Sequence, residues 1–241
     1  MAEAPKTEGD NKIIAGLHGE DLARLAPYLK RVALEAEQTL HQIDGPVERI
    51  YFPETALVSL LNILSDGASV EVGVVGREGV VGISPLLEGE RAGAQAIVQI
   101  PGTAQSIATV ALKEEFKRGG QLQTLVLRYM RTLMAQVAQT AVCNCLHNVD
   151  QRLARWLLLA RLRVERDELP LTQEFIAHML GSRRAGVSEA AGLLQEAGLI
   201  TYSRGHITIL DFKGLEEASC ECYQIVRKEF QSVFDEESAD Q

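Results

Sequence analysis

Residues 169–211 read LPLTQEFIAHMLGSRRAGVSEAAGLLQEAGLITYSRGHITILD, and this stretch decides the fold. Thr172 stands where a helix N-cap is needed, before apolar residues at helical spacing: Phe175, Ile176, Met179 and Leu180. Gly181 then supplies a tight turn, and Ser182 is placed to cap a second helix. That helix carries Val187, Ala190, Ala191 and Leu194 at core spacing, leaving Arg183, Arg184 and Ser188 free near its N-terminal end. After Gly198, the segments 199–202 and 206–210 flank Ser203-Arg204-Gly205, the pattern of a β-hairpin with Arg204 at its tip. Two short helices, a tight turn and a hairpin make a winged helix-turn-helix. Its second helix offers a positive N-terminal end to phosphates, and its arginines are long enough to reach guanine edges. Thr172, Gln173, Ser182, Arg183, Arg184, Ser188 and Arg204 are the expected DNA-contacting residues.

Moving upstream, residues 149–164 form an amphipathic helix with Leu153, Trp156, Leu157 and Ala160 on one face. Arg152, Arg155 and Arg163 fall largely on others. Before it, Leu122, Val126, Tyr129, Leu133, Val137 and Thr140 advance in steps of four and three, a heptad-like seam. A seam in this linking position predicts a dimerisation helix over 114–147; the competing reading lays the same face on the chain's own core. Between residues 32 and 112 short Val-, Ile- and Leu-rich runs alternate with Gly and Pro turn signals, which predicts an antiparallel barrel or sandwich. Leu17, Leu22, Leu25 and Leu29 predict one short helix ahead of it, and residues 1–12 read as a disordered tail. Downstream, Leu215, Cys222, Ile225, Val226 and Phe230 predict a closing helix near the wing or the β-domain, followed by an acidic tail from Asp235.

Composition agrees with a folded, two-domain chain of 241 residues, 46% hydrophobic and 24% charged. The net charge of −9 excludes indiscriminate nucleic-acid binding by the whole surface. Residues 151–210 nevertheless hold eight arginines against six acids, a mildly basic end on an acidic body. No apolar run approaches the roughly 18 residues of a membrane span, so a cytoplasmic protein is expected. There is no G-x-S-x-G elbow, phosphate loop or H-E-x-x-H site, which leaves no enzyme class with a motif.

Over roughly residues 12–235 the chain resembles the Crp/Fnr family of transcription regulators, most strongly in its DNA-binding half. Thr172, Ile176, Gly181, Arg184, Val187 and Leu194 match the family's helix-turn-helix pattern, and Gly198-Leu199-Ile200 its link into the wing. Ala185 and Glu189 depart from it: the best-known members follow the arginine with Glu and place a second arginine five positions after the first. The resemblance therefore transfers the DNA-binding role but not the target sequence. Gly186 within the helix either allows close approach to DNA or a neighbouring helix, or is neutral.

The resemblance further implies that residues 32–112 form a cyclic-nucleotide-binding type of β-barrel, in which a Gly-Glu pair and an Arg-Ser pair hold a ribose phosphate. Here Val80 replaces the acid between Gly79 and Gly82, and Arg91-Ala92-Gly93-Ala94 has no Arg-Ser pair. A cyclic phosphate would be desolvated with poor pairing, so cyclic AMP is not the expected effector. The iron-sulfur sensor of other members needs cysteines near the N-terminus, and none precedes Cys143.

The four cysteines form two Cys-x-Cys pairs, Cys143/Cys145 and Cys220/Cys222, expected to be reduced thiols. Residues two apart on a helix point opposite ways, so Cys143 and Cys145 do not readily share an ion, whereas Cys143 and His147 at i, i+4 can. Small buried hydrophobes are the competing reading, and no cofactor is assigned.

The expected architecture is α+β: an N-terminal antiparallel β-barrel or jelly-roll sensor domain (13–113), the long helix (114–147), and a winged helix-turn-helix with a C-terminal helix (148–241). The expected function is sequence-specific transcription regulation as a homodimer, with palindromic duplex DNA and RNA polymerase as partners and no membrane. A dimeric protein-interaction regulator that has lost specific DNA recognition is the alternative.

Overall fold

The apolar runs of the N-terminal half pair as antiparallel strands, and the helical periodicities after them hold. The computed structural model describes residues 10–235. Helices α1 (Lys12–Ala15) and α2 (Gly19–Leu25) precede β1 (Lys30–Leu34), β2 (Thr39–His41), β3 (Arg49–Pro53), β4 (Leu57–Ile63), β5 (Ser69–Val75), β6 (Gln95–Ile100) and β7 (Gly102–Ala108). Then come α3 (Thr109–Lys117), α4 (Gln121–Leu146), α5 (Val149–Val164), β8 (Glu168–Pro170), α6 (Gln173–Met179) and α7 (Arg184–Glu196). The wing strands β9 (Ile200–Ser203) and β10 (His206–Ile209) follow, with α8 (Phe212–Ala218) and α9 (Cys222–Asp235) closing the chain.

The β-domain is two antiparallel sheets, in the orders β1-β7-β3 and β2-β6-β4-β5, sharing one apolar core. They are jelly-roll-like sheets and do not form one closed barrel. Leu57, Val58 and Ser59 of β4 are buried in succession, without the alternation of a half-exposed strand. The cause is a second covering layer: α5 lies on β4 and α4 on β5.

Three sequence expectations are corrected. The predicted tail of residues 1–12 extends too far, because Asn11 is 1% exposed. Its Nδ2 donates to Pro53 O and Gly79 O, and its Oδ1 caps α1. Residues 1–9 and 236–241, with most of the acidic tail, lie outside the described residues. The long helix does not begin at 114, since Gly119 and Gly120 at φ +82° and +84° break the chain between α3 and α4. Only glycine enters that region freely.

The third correction concerns the seam. Leu122, Val126, Tyr129, Leu133 and Thr140 are buried inside their own chain, leaving only Val137 of the six partly exposed. Tyr129, fully buried, packs so closely on Gly79 that a Cβ there would lie 2.3 Å from its ring. The seam drawn from the sequence is therefore the face α4 turns inward, and α9 packs along the same helix.

Candidate nucleic-acid interface

Thr172 caps α6 as its sequence position demands, its Oγ1 accepting from Phe175 N at 3.2 Å. Ile176, Ala177 and Met179 are buried, and Gly181 turns the chain at φ +53°. Ser182 does not cap the next helix; Arg183 is the N-cap residue of α7 and makes no side-chain cap bond. The turn is closed by backbone instead, Ser182 N donating to Ala177 O at 2.9 Å. Val187, Ala190, Ala191 and Leu194 point inward, so α7 packs on α5 and α6. Arg183 and Arg184 stay exposed at its start. A Cβ at Gly186 would meet only Ser182 Oγ, at 3.3 Å, so helix packing does not require glycine there.

Two of the expected contact residues serve the scaffold as well. Ser188 Oγ donates to Gln173 Oε1 at 2.7 Å, tying α7 to the first turn of α6. The wing is a two-residue hairpin with Arg204 and Gly205 at φ +49° and +79°. Asn-Gly and Asp-Gly are the usual occupants of such a turn, and an arginine there holds its side chain outward at some conformational cost. Leu171 N donates to Gly205 O at 2.7 Å, and β8 adds a third strand beside β10 that the sequence reading did not anticipate. Arg183, Arg184 and Arg204 are thus all exposed cations on one winged helical unit.

Residues 151–218 match the family description "Crp-like helix-turn-helix domain", and residues 31–118 match "Cyclic nucleotide-binding domain". FixK2 from Bradyrhizobium japonicum, 17% identical, has the same fold at a TM-score of 0.68, covering 80% of this chain and 98% of its own. A putative transcriptional regulator of the Crp/Fnr family from Eubacterium rectale does so at 19% identity and a TM-score of 0.67, covering 86% and 97%. The chain belongs to the Crp/Fnr family of regulators. The global nitrogen regulator of Nostoc sp. is 24% identical over 188 residues, 73% of this chain and 82% of the relative. This Crp/Fnr protein is accordingly a DNA-binding transcription regulator. Among its described residues no helix is long and apolar enough to cross a membrane.

In this Crp/Fnr chain the positions that the resemblance associates with a cyclic nucleotide are apolar or bonded to the chain itself. Val80 and Val81 are each 1% exposed, in the core. Arg91 is exposed, and its Nη1 donates to Asp44 O at 2.8 Å.

The three arginines of α5 are not on a solvent face, contrary to the sequence reading; Arg152, Arg155 and Arg163 are all buried. Buried guanidinium groups require partners, and for Arg163 they come from the β-domain and the long helix. Arg163 Nε donates to Glu78 Oε1 at 2.8 Å, its Nη2 to Gln136 Oε1, and its plane lies 4.8 Å from the Phe230 ring centre. Trp156 Nε1 donates to Glu71 Oε1 at 2.9 Å, while Ser59 Oγ donates to Glu71 Oε2 at 2.7 Å. Arg152 Nη2 donates to Leu180 O at the end of α6. The β-domain, α5 and the helix-turn-helix are therefore joined by polar contacts as well as by packing.

Burial pushes the Glu71 carboxyl up to about 7, against the opposing hydrogen bonds from Ser59 and Trp156 and the fields of Arg155 and Arg163. A carboxyl raised on folding stabilises the native state relative to its ionised form below its unfolded value and loses that contribution as pH rises through the folded value. The window here runs from 4.5 to about 7. Glu71→Gln keeps both hydrogen-bond positions without the charge. The unfolding free energy of native protein relative to Glu71→Gln is expected to fall between pH 4.5 and 8 by on the order of 3 kcal/mol. Urea denaturation of both proteins across that range checks it, and parallel pH profiles would refute it.

The two Cys-x-Cys pairs, far apart in sequence, meet in space. Cys143 and His147 at the end of α4 lie against Cys220 and Cys222 before and at the start of α9, while Cys145 is exposed and apart. The hydrogen bond from Cys220, aided by the field of Arg155, holds the Cys143 thiol down at about 5. The same bond pushes Cys220 up, and burial pushes Cys222 up. The sequence reading paired Cys143 with His147 but did not bring Cys220 and Cys222 to them.

Proposed function

We propose that this regulator works as a cytoplasmic homodimer on a two-fold-symmetric duplex site, in concert with RNA polymerase, under a signal at the β-domain other than cyclic AMP. The observation that carries the reading is the outer face of α4. Leu127, Met134 and Ala141 recur every seven residues there, interleaved with Arg131, Ala138 and Cys145, and all six are exposed. Met134, in the middle of this stripe, is 72% exposed, and a contiguous apolar stripe marks an interaction face where a single exposed residue would not. The spacing of three and four suits a coiled-coil pair, and Ala138 and Ala141 allow two backbones to approach closely. A two-fold axis along α4 would present two α7 helices to successive major grooves about 34 Å apart. The buried, apolar Val80 and Val81 support a non-nucleotide signal. No catalytic step enters the reading.

Two measurements test it. Sedimentation of native protein is expected to give twice the 26.4 kDa chain mass, and Met134→Asp, which places a charge in the middle of the seam, the mass of one chain. Selection from a randomised duplex pool by native protein is expected to enrich two inverted half-sites. A dimeric Met134→Asp, or enrichment of a single asymmetric half-site, would sink the proposal.

A further inference from the structure

We infer that Cys143, His147, Cys220 and Cys222 form a zinc site that pins the C-terminal helix to the hinge between α4 and α5. One donor atom from each of the four lies within 4.8 Å of every other. Cys143 Sγ and Cys220 Sγ are 3.5 Å apart, as are Cys222 Sγ and His147 Nδ1. Four donors bound tetrahedrally to zinc at about 2.0–2.3 Å stand roughly 3.5–3.8 Å from one another. Two of the edges thus already have the required length, and a contraction of about 1 Å closes the longest. Three sulfurs and one imidazole nitrogen are the ligand set of closed structural zinc sites, and soft thiolates disfavour magnesium or calcium.

The surroundings fit the charge of such a centre. Three thiolates and a neutral imidazole around Zn²⁺ leave a net charge of −1. Arg152 and Arg155, buried on α5, both act electrostatically on Cys143 or feel its charge, and the Nε of each has no hydrogen-bond partner. Two buried cations beside the cluster favour an anionic occupant over three neutral thiols. Gln139 Nε2 donates to Cys222 Sγ at 3.0 Å, an outer-shell contact of the kind that orients metal ligands. The cysteines also form a buried cluster of their own, separate from the main core, so they are not simply part of its packing. Binding exchanges protons for metal: the remaining thiol protons pass to solvent, and no electrons move.

The location gives the site a consequence. His147 is the C-cap residue of α4 and Asn148 the N-cap of α5, so a ligand sits at the hinge between the long helix and the DNA-binding domain. Cys220 and Cys222 flank the entry to α9, which packs on both of those helices. Metal would join three elements that otherwise meet through side-chain packing.

The test uses full-length protein, stripped by a chelator and reduced without a thiol reductant, titrated anaerobically with cobalt(II) alone. One equivalent per chain is expected to give the intense visible bands and sulfur-to-cobalt charge transfer of a tetrahedral thiolate site, and zinc to bleach them. Cys143→Ser and Cys222→Ser are each expected to weaken cobalt binding by at least ~100-fold, and Cys145→Ser to leave it unchanged. Zinc should raise the melting temperature of native protein and of Cys145→Ser alone. The native titration decides by itself, so a variant that fails to fold does not protect the inference. No tetrahedral spectrum from the reduced native protein overturns it, as does an unchanged spectrum in Cys222→Ser. A chain that takes up no cobalt but forms a Cys143–Cys220 disulfide on oxidation would also overturn it, making the cluster a redox pair.

Discussion

Native protein is expected to bind its selected duplex roughly 30- to 20,000-fold more tightly than the double variant Arg183→Ala/Arg184→Ala, two good base contacts being worth about 1–3 kcal/mol each. Both side chains are exposed at the start of α7, beside a helix end whose unpaired N–H groups attract phosphate. Because they are exposed, their removal should shift stability by no more than about 0.5 kcal/mol, so lost binding reports lost contact. Salt dependence separates the two ways they can act. If an arginine reads a base, the variant's selected pool becomes degenerate at that position; if it meets a phosphate, affinity falls for all sequences and the salt slope drops by about one per residue. Fluorescence anisotropy across a salt series, with sequencing of both pools, distinguishes these. Equal affinity and identical pools would mean that α7 does not enter the groove, and would revive a protein-interaction role.

The winged unit was legible because its determinants are local. Thr172, the periodic Ile176 and Met179, Gly181 and the turn before His206 each act within a few residues, and each falls in its expected element. The cap at Ser182 failed: its backbone N–H donates to Ala177 O and closes the end of α6, while the start of α7 has no side-chain cap. The seam of α4 failed for a different reason. This helix carries apolar residues at heptad spacing on two faces, one from Leu122 and one from Leu127. Periodicity alone does not say which face meets β5 and which is left for a partner, since that choice is made by contacts far away in sequence.

Distance in sequence also hid the buried polar groups. Cys143 and Cys220 are 77 residues apart, and Trp156 and Glu71 are separated by 85. A Cys-x-Cys pair on its own looks like two alternating positions, and an arginine in an amphipathic helix looks solvated. Only the docking of α5 on the β-domain turns Arg163 from a surface cation into a buried one. The same docking explains why β4 and β5 lack clean alternation: their second face, which would be wet in an isolated sheet, lies under α4 and α5.

Arg163→Met is expected to destabilise the protein by on the order of 3–5 kcal/mol, because it strands the Glu78 carboxylate in the interior without its partner. The side chains of Arg163 and Glu78 are 2% and 7% exposed, and the ion pair joins α5 to the loop after β5. The same guanidinium meets Gln136 on α4 and Phe230 on α9, so one side chain ties together the loop after β5, the long helix, the DNA-binding domain and the C-terminal helix. A methionine fills much of the space of the arginine stem, which separates the lost charge from a lost volume. If the stranded carboxylate is the cause, adding Glu78→Gln to Arg163→Met should recover most of the loss, and Glu78→Gln alone should cost less than Arg163→Met alone. A double-mutant cycle in urea measures this, a coupling below about 0.5 kcal/mol placing the cost in packing alone. Because the pair bridges the two domains, its loss should also uncouple them: native protein should melt in one transition and Arg163→Met in two, the β-domain and the winged unit separating. A single lowered transition would instead mean that the apolar contacts of Trp156 and Leu157 hold the interface and the ion pair only fixes its register.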